Sequence, residues 1–216
     1  MGVKERRERE KSETRDKILD AARELFISEG YEGVSMRRVA DKIEYSPTAI
    51  YVHFADKEEL FRELCHRDYA RLAQVFQSSV ISTDPVERLK QIGAIYIDFG
   101  INNPNHYVFM FMTPHPAHEL DDVDKEMVGN PEKDAYAFLK WAVQQALDAG
   151  VFRQDVGDAE LISQTLWAAV HGVISLQIAK GGDAWVDWRP VRDRAETMLD
   201  VTLRGLVRSD NAGEGK

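Results

Sequence analysis

Cysteine is almost absent from this sequence of 216 residues, in which Cys65 is the only one. A single cysteine excludes an internal disulfide and a zinc site built from several cysteines. No apolar run approaches the roughly 20 residues needed to cross a bilayer. Residues 1–15 are charged where a secretory signal would be apolar. We therefore expect a cytoplasmic protein that does not involve a membrane.

The motifs of common enzyme classes are missing as well. The sequence contains no glycine-rich phosphate-binding loop, nucleophile elbow or metalloprotease motif, so we expect neither enzymatic activity nor a cofactor. The nearest group of possible metal ligands is His106, His115, His118, Asp121, Asp122 and Asp124. Because Pro114 and Pro116 indicate an exposed loop, an incidental polar segment is favoured over a metal site, and a metal-responsive regulator is the alternative.

Acidic residues outnumber basic ones, but not evenly along the chain. The net charge is −9, from 28 basic and 37 acidic residues. Residues 1–57 contain 12 of each kind, which leaves 16 basic and 25 acidic residues for residues 58–216. Because an acidic body repels phosphate, contact with nucleic acid is expected only from the N-terminal part.

Helical periodicity is present in most of the chain, and no segment stands out with the alternating pattern of a strand. Apolar spacing, capping residues and terminal glycines predict helices over 13–28, 36–43, 47–53, 57–79, 85–102, 132–149, 158–180 and 189–207. An apolar run covers 107–112, and 113–131 is predicted to be a loop with at most one helical turn. The tails 1–11 and 209–216 are expected to be disordered. The sequence therefore predicts an all-α protein.

Residues 35–54, SMRRVADKIEYSPTAIYVHF, have the pattern of a helix–turn–helix. Serine at the cap and proline at the first helical position, here Ser46 and Pro47, are a strong signal for the start of the second helix. The first turn of that helix carries Thr48 and Ala49. A recognition helix enters the major groove of DNA with its first turn, where short side chains permit close approach to the base edges.

On these residues the sequence resembles the TetR family of one-component regulators. The matching segments are TRDKILDAARELF (14–26), GYEGVSMRRVAD (30–41) and SPTAIYVHFADKEELF (46–61). The turn departs from the family, which often has Gly-Val where this chain has Glu44-Tyr45. The resemblance implies an N-terminal three-helix DNA-binding domain over 12–57 and a C-terminal helical domain for ligand binding and dimerisation over 58–208.

The resemblance also implies which residues contact double-stranded operator DNA. Phosphates are expected at the helix starts marked by Ser35 and Lys57, where backbone N–H groups and the helix dipole favour an anion. Arg37 is expected to reach a guanine edge or a phosphate. The full set of predicted DNA contacts is Ser35, Arg37, Ser46, Pro47, Thr48, Ala49, Tyr51, His53 and Lys57.

Some of these residues have a plainer interpretation. Ser35 and Ser46 are also helix caps, a role that is compatible with phosphate contact. A core position is the alternative for Tyr51. The mixed-charge run 4–11 has two alternative interpretations: a solvated N-terminal extension of the first helix, or an arm that touches DNA.

The C-terminal part carries a second, narrower resemblance. Trp167-Ala-Ala-Val-His171-Gly172 resembles the signature of a TetR C-terminal class called WHG. Residues four apart share a helix face, so a buried structural pair of Trp167 and His171 is favoured, with direct ligand contact as the alternative. The resemblance further implies a homodimer through helices 158–180 and 189–207. A palindrome with half-sites roughly 34–36 Å apart requires such a dimer.

Aromatic residues and methionines are plentiful in the C-terminal part, where they can line a pocket or fill a core. The residues predicted to contact a ligand are Tyr96, Phe99, Tyr107, Phe111, Trp141, Trp167 and His171. With the family resemblance, they predict a repressor that a small, mostly apolar molecule releases from its operator by altering helix 57–79. The rival hypothesis is a protein-interaction module that has lost DNA binding; the negative net charge favours it slightly, and the intact pattern over 46–57 opposes it.

Overall fold

The fold is all-α, as the sequence predicts. The computed structural model describes residues 2–116 and 122–208, and this part of the chain contains ten α-helices and one isolated antiparallel bridge, between Phe152 and Val207. The helices are α1 (Val3–Gly33), α2 (Met36–Lys42), α3 (Pro47–Tyr51), α4 (Lys57–Ser79), α5 (Pro85–Asn102), α6 (Pro104–Met112), α7 (Asp122–Met127), α8 (Ala135–Asp148), α9 (Ala159–Lys180) and α10 (Val191–Leu206).

Several helices begin at the residues that the sequence marks as their starts. The predicted helices 57–79 and 85–102 coincide with α4 and α5. Ser46 and Asp158 cap α3 and α9, since each side chain accepts a hydrogen bond from a backbone N–H in the first turn. The helix predicted from 132 begins at Ala135 instead, after the N-cap Asp134. These boundaries depend on contacts between residues two to three positions apart, which a sequence pattern can show.

The N-terminal run differs from the expected disordered tail. Residues 3–11 are the first turns of α1, which is continuous until Gly30 interrupts it at φ 70°. Two ion pairs between residues four apart, Arg6 with Glu10 at 2.9 Å and Arg9 with Glu13 at 3.6 Å, support this helix. The expected tail 209–216 lies outside the described residues.

The connection between α5 and α8 is more helical than expected. Asn103-Pro104-Asn105 does not end helical structure for long, because Pro104 is the first residue of α6, where a missing N–H costs nothing. The predicted loop 113–131 contains α7, whose six residues exceed the single turn allowed by the sequence pattern.

The chain divides into two compact units. The first unit comprises residues 1–69 and 103–121 and the second comprises 70–102 and 122–216, as far as the structure describes them. The predicted boundary after residue 57 falls inside the first unit, since the first half of α4 and all of α6 belong to it.

The first unit is built around a core shared by α1, α2, α3, α4 and α6. In this unit α1 packs against α2 and α6, and α2 packs against α3. Its fully buried side chains include Ile18, Phe26, Val39, Ile50, Phe54, Leu60, Leu64, Tyr107 and Phe109. Burying a side chain of this size contributes about 1.5–3 kcal/mol, so this core fixes the short helices α2 and α3, which could not persist alone.

The second unit is a packed helical body. Here α5 packs against α8, α9 and α10, and α9 also packs against α8 and α10. Gly93 lies where α5 meets α10, and a Cβ atom at that position would overlap Cδ2 of Leu199. A larger residue at position 93 would therefore have to displace the Leu199 side chain.

Candidate nucleic-acid interface and ligand site

The recognition helix predicted from the sequence is α3. Ser46 is its N-cap, with Oγ accepting a hydrogen bond from the Ala49 backbone N–H at 3.3 Å, and Pro47 is its first residue. Ile50 is fully buried and Phe54 is 1% exposed, so these two side chains fix the back of the helix to the core. The opposite side carries Thr48, which is exposed. This is the arrangement that a helix inserted into a DNA groove requires.

The supporting helix α2 is arranged in the same way, with a serine cap, a buried side and an exposed side. Ser35 caps it by accepting a hydrogen bond from the Arg38 N–H at 3.3 Å, and Val39 and Ala40 are fully buried. Arg37 points away from the core with 82% of its side chain exposed, and its nearest acid, Asp41, is 4.0 Å away. Its guanidinium is therefore available for a further partner.

The turn between α2 and α3 carries backbone strain. Glu44 has φ +60°, which makes it the only residue other than glycine with positive φ among those described. This is the turn at which the sequence departs from the Gly-Val of the TetR family. A residue with a Cβ atom in this region costs about 1–2 kcal/mol relative to glycine.

Six of the nine predicted DNA contacts are exposed: Ser35, Arg37, Ser46, Pro47, Thr48 and Tyr51. Tyr51 is 55% exposed, so its alternative assignment to the core is wrong. Ala49, His53 and Lys57 are half-buried. The DNA contact expected of each residue stays a prediction.

Arg15 holds the end of α3, a contact that the sequence did not reveal. Its Nη1 donates a hydrogen bond to the backbone carbonyl of His53 at 2.7 Å, and its guanidinium lies 4.2 Å from the ring centroid of Phe54. Its Nη2 lies 3.5 Å from Oε2 of Glu63. Arg15, on α1, thus contacts both α4 and the segment that follows α3. The sequence separation of these contacts is too large for a local pattern to show.

The surroundings of His53 favour its neutral form. Burial lowers the pKa of its imidazole, and the positive charges of Lys11 and Arg15 lower it further. Its Nδ1 is buried and has no hydrogen-bond partner in the described part of the chain. A phosphate contact from His53 would therefore use Nε2 of a neutral ring.

Lys57 already has partners inside the first unit. Its Nζ donates a hydrogen bond to the carbonyl of Tyr31 at 3.0 Å and lies 4.1 Å from the centroid of that ring. An ammonium group has three donors, so the predicted phosphate contact is compatible with this geometry. These contacts also place the ammonium group at the start of α4.

An ion-pair network lies buried in the first unit, and the sequence did not indicate it. Arg23 and Asp68, which are 6% and 2% exposed, form two hydrogen bonds of 2.9 Å each. Nδ1 of His106 lies 2.9 Å from Oδ1 of the same carboxylate. The network therefore joins α1, α4 and α6.

This network bears on the predicted metal-ligand cluster. His106 is bound to Asp68, and Nε2 of His115 lies 2.8 Å from the carbonyl oxygen of Phe109. His118 and Asp121 lie outside the described residues. Within residues 2–116 and 122–208, no group of three or more side chains of the metal-binding types is suitably placed for an ion.

The predicted ligand contacts do not all lie in one unit. Tyr107 and Phe111 belong to α6 of the first unit, where Tyr107 is fully buried and its ring centroid is 5.1 Å from that of Phe111. The other five belong to the second unit: Tyr96, Phe99, Trp141, Trp167 and His171. Of these, Tyr96 and Phe99 are buried, at 5% exposure each.

Trp167 is at the centre of an aromatic group in the second unit. Its Nε1 donates a hydrogen bond to Oη of Tyr96 at 3.0 Å, and its ring centroid lies 5.7 Å from Tyr136 and 6.4 Å from His171. The indole is 37% exposed. The predicted proximity of Trp167 and His171 is confirmed. Burial lowers the pKa of the His171 imidazole, which favours its neutral form.

A polar cluster adjoins this aromatic group. The hydroxyl of Tyr136 donates a hydrogen bond to Glu160 at 2.6 Å, and Lys140 lies 2.7 Å from the same carboxylate. Burial and the hydrogen bond to Glu160 raise the pKa of Tyr136 to about 12. Hydrogen bonds from Lys140, Tyr136 and Gln164 lower the pKa of Glu160 to about 2. Sequence reasoning missed Tyr136 and Glu160, which are 24 residues apart.

The last two long helices have exposed apolar side chains. Leu161 and Leu176 on α9 are 56% and 49% exposed, and Val201 on α10 is 64% exposed. By length and composition, α9 is the one helix of the described chain that could span a membrane, with a mean hydropathy of 1.3 and 28% of that stretch buried. One such helix is weak evidence for a membrane, since a helix covered by another protein surface has the same composition.

Comparison with known protein families gives two matches. The family described as "Bacterial regulatory proteins, tetR family" matches residues 18–64, and the family described as "Tetracyclin repressor-like, C-terminal domain" matches residues 89–202. The first match covers about half of α1, all of α2 and α3, and the start of α4. The second contains α9 and most of α10, and the resemblance to the WHG class is not tested by it.

Individual relatives are similar to different lengths of the chain. The HTH-type transcriptional repressor AcnR of Corynebacterium diphtheriae is 46% identical over 66 residues, which are 31% of this chain and 35% of that protein. The match therefore spans about a third of that relative. AcnR of Corynebacterium jeikeium is 32% identical over 166 residues, covering 76% of this chain and 80% of that protein. Among solved structures, a TetR family transcription regulator from Marinobacter aquaeolei VT8 has a TM-score of 0.73 at 17% identity, over 95% of this chain and 100% of that one.

Proposed function

This chain belongs to the TetR family of bacterial regulatory proteins, and we propose that it is a cytoplasmic, homodimeric repressor whose operator binding is controlled by a small, mostly apolar effector. The observation that carries the proposal is the geometry of α3. Its back is fixed by buried Ile50 and Phe54, while its front exposes Thr48 and Tyr51. Such a helix can enter the major groove without rearranging the core.

Within this surface, we assign sequence reading and phosphate binding to different residues. Thr48 and Ala49, on the first turn of α3, are short enough to approach base edges. Arg37 is long, exposed and weakly paired, so it can form a bidentate contact with guanine. Ser35 offers a phosphate its hydroxyl and the start of α2.

Selection of bound sites from random duplex DNA tests the proposal directly. The wild type is expected to enrich a palindrome, and the Arg37→Ala/Thr48→Ala variant is expected to lose at least 10-fold in preference for it, because a good base contact is worth about 1–3 kcal/mol. The matched control is Arg153→Ala/Thr83→Ala, two exposed residues of the second unit. Failure of the wild type to enrich any sequence would overturn the proposal in favour of an interaction module.

We propose that a second copy of this chain covers α9 and α10. Leu161, Ala168, Gly172 and Leu176 lie seven, four and four residues apart, a spacing that places them on one face of α9. None of them is charged, and a Cβ atom at Gly172 would meet nothing within 4 Å. A twin helix could therefore approach this face closely, as a four-helix bundle requires.

A charge placed on this face tests the dimer. Leu176→Glu is expected to convert the dimer to monomers in sedimentation equilibrium without loss of helix content, because the side chain is half-exposed within one chain. Ile81→Glu is the control, since Ile81 is 81% exposed and lies outside α9 and α10. A Leu176→Glu protein that sediments as the wild type does would exclude this face as the interface.

For the effector, we propose a site in the second unit around Trp167. Its partly exposed indole, the hydroxyl of Tyr96 and the neutral imidazole of His171 combine apolar area with a few polar groups, as small-molecule sites do. Binding there would act on DNA through α4, which begins in the first unit and ends in the second. Tyr107 and Phe111 are left out of this proposal, because both pack within the first unit.

A screen of aromatic and aliphatic compounds tests the effector site. A true effector is expected to raise the melting temperature of the wild type and to lower its operator affinity, and to do both less with Trp167→Phe, which lacks the donor to Tyr96. Trp185→Phe is the control, since Trp185 is 78% exposed and hydrogen-bonded to Asp183. Compounds that act equally on both variants would exclude Trp167 as a contact.

A further inference from the structure

The first three turns of α1 carry basic residues of two kinds. Arg6 and Arg9 belong to one kind, because each forms an ion pair with the glutamate four residues further on. Their charges are therefore balanced within the helix. Arg6 and Arg9 therefore stabilise the helix and leave little net positive charge for a binding partner.

The other kind forms a basic stripe, which consists of Lys4, Arg7 and Lys11. Their spacing of three and four residues places them on one face of α1, and with Glu8 they line one surface groove. All three are exposed, and none has an ion pair or side-chain hydrogen bond in the described part of the chain. The stripe thus presents three uncompensated positive charges beside one acid.

The basic stripe leads to the end of the recognition helix. Lys11 lies one turn before Arg15, whose guanidinium donates a hydrogen bond to the carbonyl of His53 at 2.7 Å. The charge of Lys11 also contributes to the low pKa of the His53 imidazole, after burial, so the two side chains are electrostatically coupled. The stripe is therefore continuous with the surface that carries Tyr51 and His53.

We propose that Lys4, Arg7 and Lys11 form a second DNA-contacting surface, which binds backbone phosphates of the duplex next to the bases contacted by α3. This inference rests on the proposed function and adds a phosphate-binding surface to it. The three residues span about 10 Å along α1, at 1.5 Å per residue, which is the length of about three base pairs at roughly 3.4 Å each. Three long basic side chains over that length can each reach a different phosphate of one strand.

DNA is the partner that these observations favour over an acidic protein segment. The stripe adjoins the proposed DNA-binding surface, whereas the charge of residues 58–216 would oppose phosphate elsewhere. The helix is already formed and supported by its own ion pairs, so binding would not have to order this segment. Contacts of this kind strengthen binding to every sequence equally, since phosphates carry no sequence information.

The salt dependence of DNA binding distinguishes this surface from a general charge effect. Affinity of the full chain is measured from low to high salt on two probes, the operator selected by the wild type and a scrambled duplex of the same length. The test variant is Lys4→Ala/Arg7→Ala/Lys11→Ala, and the matched control is Arg6→Ala/Arg9→Ala/Lys17→Ala. Both remove three positive charges from α1, and alanine preserves the helix, which circular dichroism checks.

The test variant is expected to have a shallower salt dependence on both probes. Each lost phosphate contact lowers the slope of log affinity against log salt by about 0.9, so three lost contacts lower it by about 2.7. The loss of affinity of the wild type between 50 and 200 mM salt should then exceed that of the variant by about 40-fold. The control is expected to keep the slope of the wild type, and both variants are expected to keep the same preference for operator over scrambled duplex.

The possible failures are distinguishable. Equal slopes for the test and control variants would overturn the basic stripe and leave the proposed function standing. Loss of preference for the operator in the test variant would also overturn it, because a phosphate contact cannot cause that loss. A wild type that binds neither probe would overturn the proposed function itself.

Substitution of Glu8 provides a second test, in which DNA affinity is expected to rise rather than fall. Because it lies in the same groove as the stripe, its carboxylate would repel a phosphate bound there. Glu8→Gln is therefore expected to tighten binding to both probes by severalfold at low salt. Unchanged or weaker binding of this variant would contradict the placement of DNA along this face.

Discussion

Each of the two units is stabilised internally by a different kind of contact. In the first unit, buried or half-buried polar groups pair across helices: Arg23 with Asp68, Arg15 with the carbonyl of His53, and Lys57 with the carbonyl of Tyr31. The second unit also has part-buried polar pairs across helices, Trp167 with Tyr96 and Tyr136 with Glu160. Within residues 70–102 and 122–208, however, it has no ion pair between two buried side chains, and its buried Ser163 bonds to its own helix.

Directional contacts fix atoms more narrowly than apolar packing does. A hydrogen bond weakens steeply with distance and angle, whereas apolar side chains of similar volume can exchange places at small cost. Narrow positioning by hydrogen bonds suits the DNA-binding role proposed for the first unit. Adaptable apolar packing suits the effector and dimer contacts proposed for the second unit. Four measurements test whether the two units differ in this way.

The largest expected effect is the loss of Asp68. Asp68→Asn removes the charge that compensates buried Arg23, and breaking a buried pair in this way costs about 3 kcal/mol or more. Urea denaturation is expected to show this loss in the free energy of unfolding. The control is Asp200→Asn, since Asp200 pairs with Arg204 at 2.9 Å on the surface, where a pair contributes at most about 1 kcal/mol. Equal losses in the two variants would mean that polar contacts do not distinguish the first unit.

In the second unit the sensitive position is Gly93. Gly93→Ala places a methyl group against Leu199, and overpacking of this kind costs about 1–3 kcal/mol. Thermal unfolding of this variant is compared with that of Gly205→Ala on α10, where a Cβ atom meets nothing within 4 Å. The control is expected to gain up to about 1 kcal/mol from helix propensity. A stable Gly93→Ala protein would show that the α5–α10 contact adapts more easily than its geometry indicates.

A smaller effect is expected at the turn of the first unit. Glu44→Gly relieves the positive φ at that position and should raise the free energy of unfolding by about 1 kcal/mol. Asp41→Gly, inside α2, should lower it by about 0.5 kcal/mol, because glycine is unfavourable in a helix. Destabilisation by Glu44→Gly would indicate that the glutamate side chain makes a compensating contact.

The smallest effect concerns two histidines, one in each unit. Burial lowers the pKa of His53 and of His171, but the charges of Lys11 and Arg15 act only on His53. Both groups favour the neutral form when folded, so each contributes stability above pH 6.5 that is lost as the pH falls towards its folded pKa.

Nuclear magnetic resonance titration at low and high salt separates the two histidines. The pKa of His53 is expected to rise with salt, because screening weakens the charges of Lys11 and Arg15, and Lys11→Ala should have the same effect. The pKa of His171 is expected to stay the same, since desolvation is not screened. Identical responses of the two imidazoles would contradict the electrostatic coupling between α1 and the end of α3.

Much of the first unit could be predicted because its signals are local. The start of α3 is determined by Ser46 and Pro47, whose contacts reach three residues, and the resemblance to TetR regulators rests on contiguous segments. The limits of α4 and α5 follow from apolar periodicity and from Pro85. The helical start of α1 was one of two alternatives left open for 4–11, beside the disordered tail expected for 1–11, because mixed charge alone does not distinguish them. The ion pairs of Arg6 and Arg9 support the helical alternative.

The candidate ligand site could be predicted only in part. The contact between Trp167 and His171 follows from their spacing on one helix, and the structure confirms it. The hydrogen bond from Trp167 to Tyr96 joins residues 71 positions apart, and the pair of Tyr136 and Glu160 joins residues 24 apart. An aromatic residue has the same apolar pattern in a core as in a pocket, so composition could not separate the two.

By itself the sequence determined the helical fold, the helix–turn–helix and the family, because caps, turns and periodicity act over a few residues. Tertiary structure decided that Arg23 meets Asp68, that Arg15 holds the end of α3, and that Tyr107 and Phe111 lie in a different unit from Trp167. These contacts depend on which helix faces meet after folding, and the packing of the whole core selects those faces. The basic stripe of α1 depends on the sequence and on the tertiary structure. The spacing of its residues is visible in the sequence, but its continuity with His53 exists only in the folded chain.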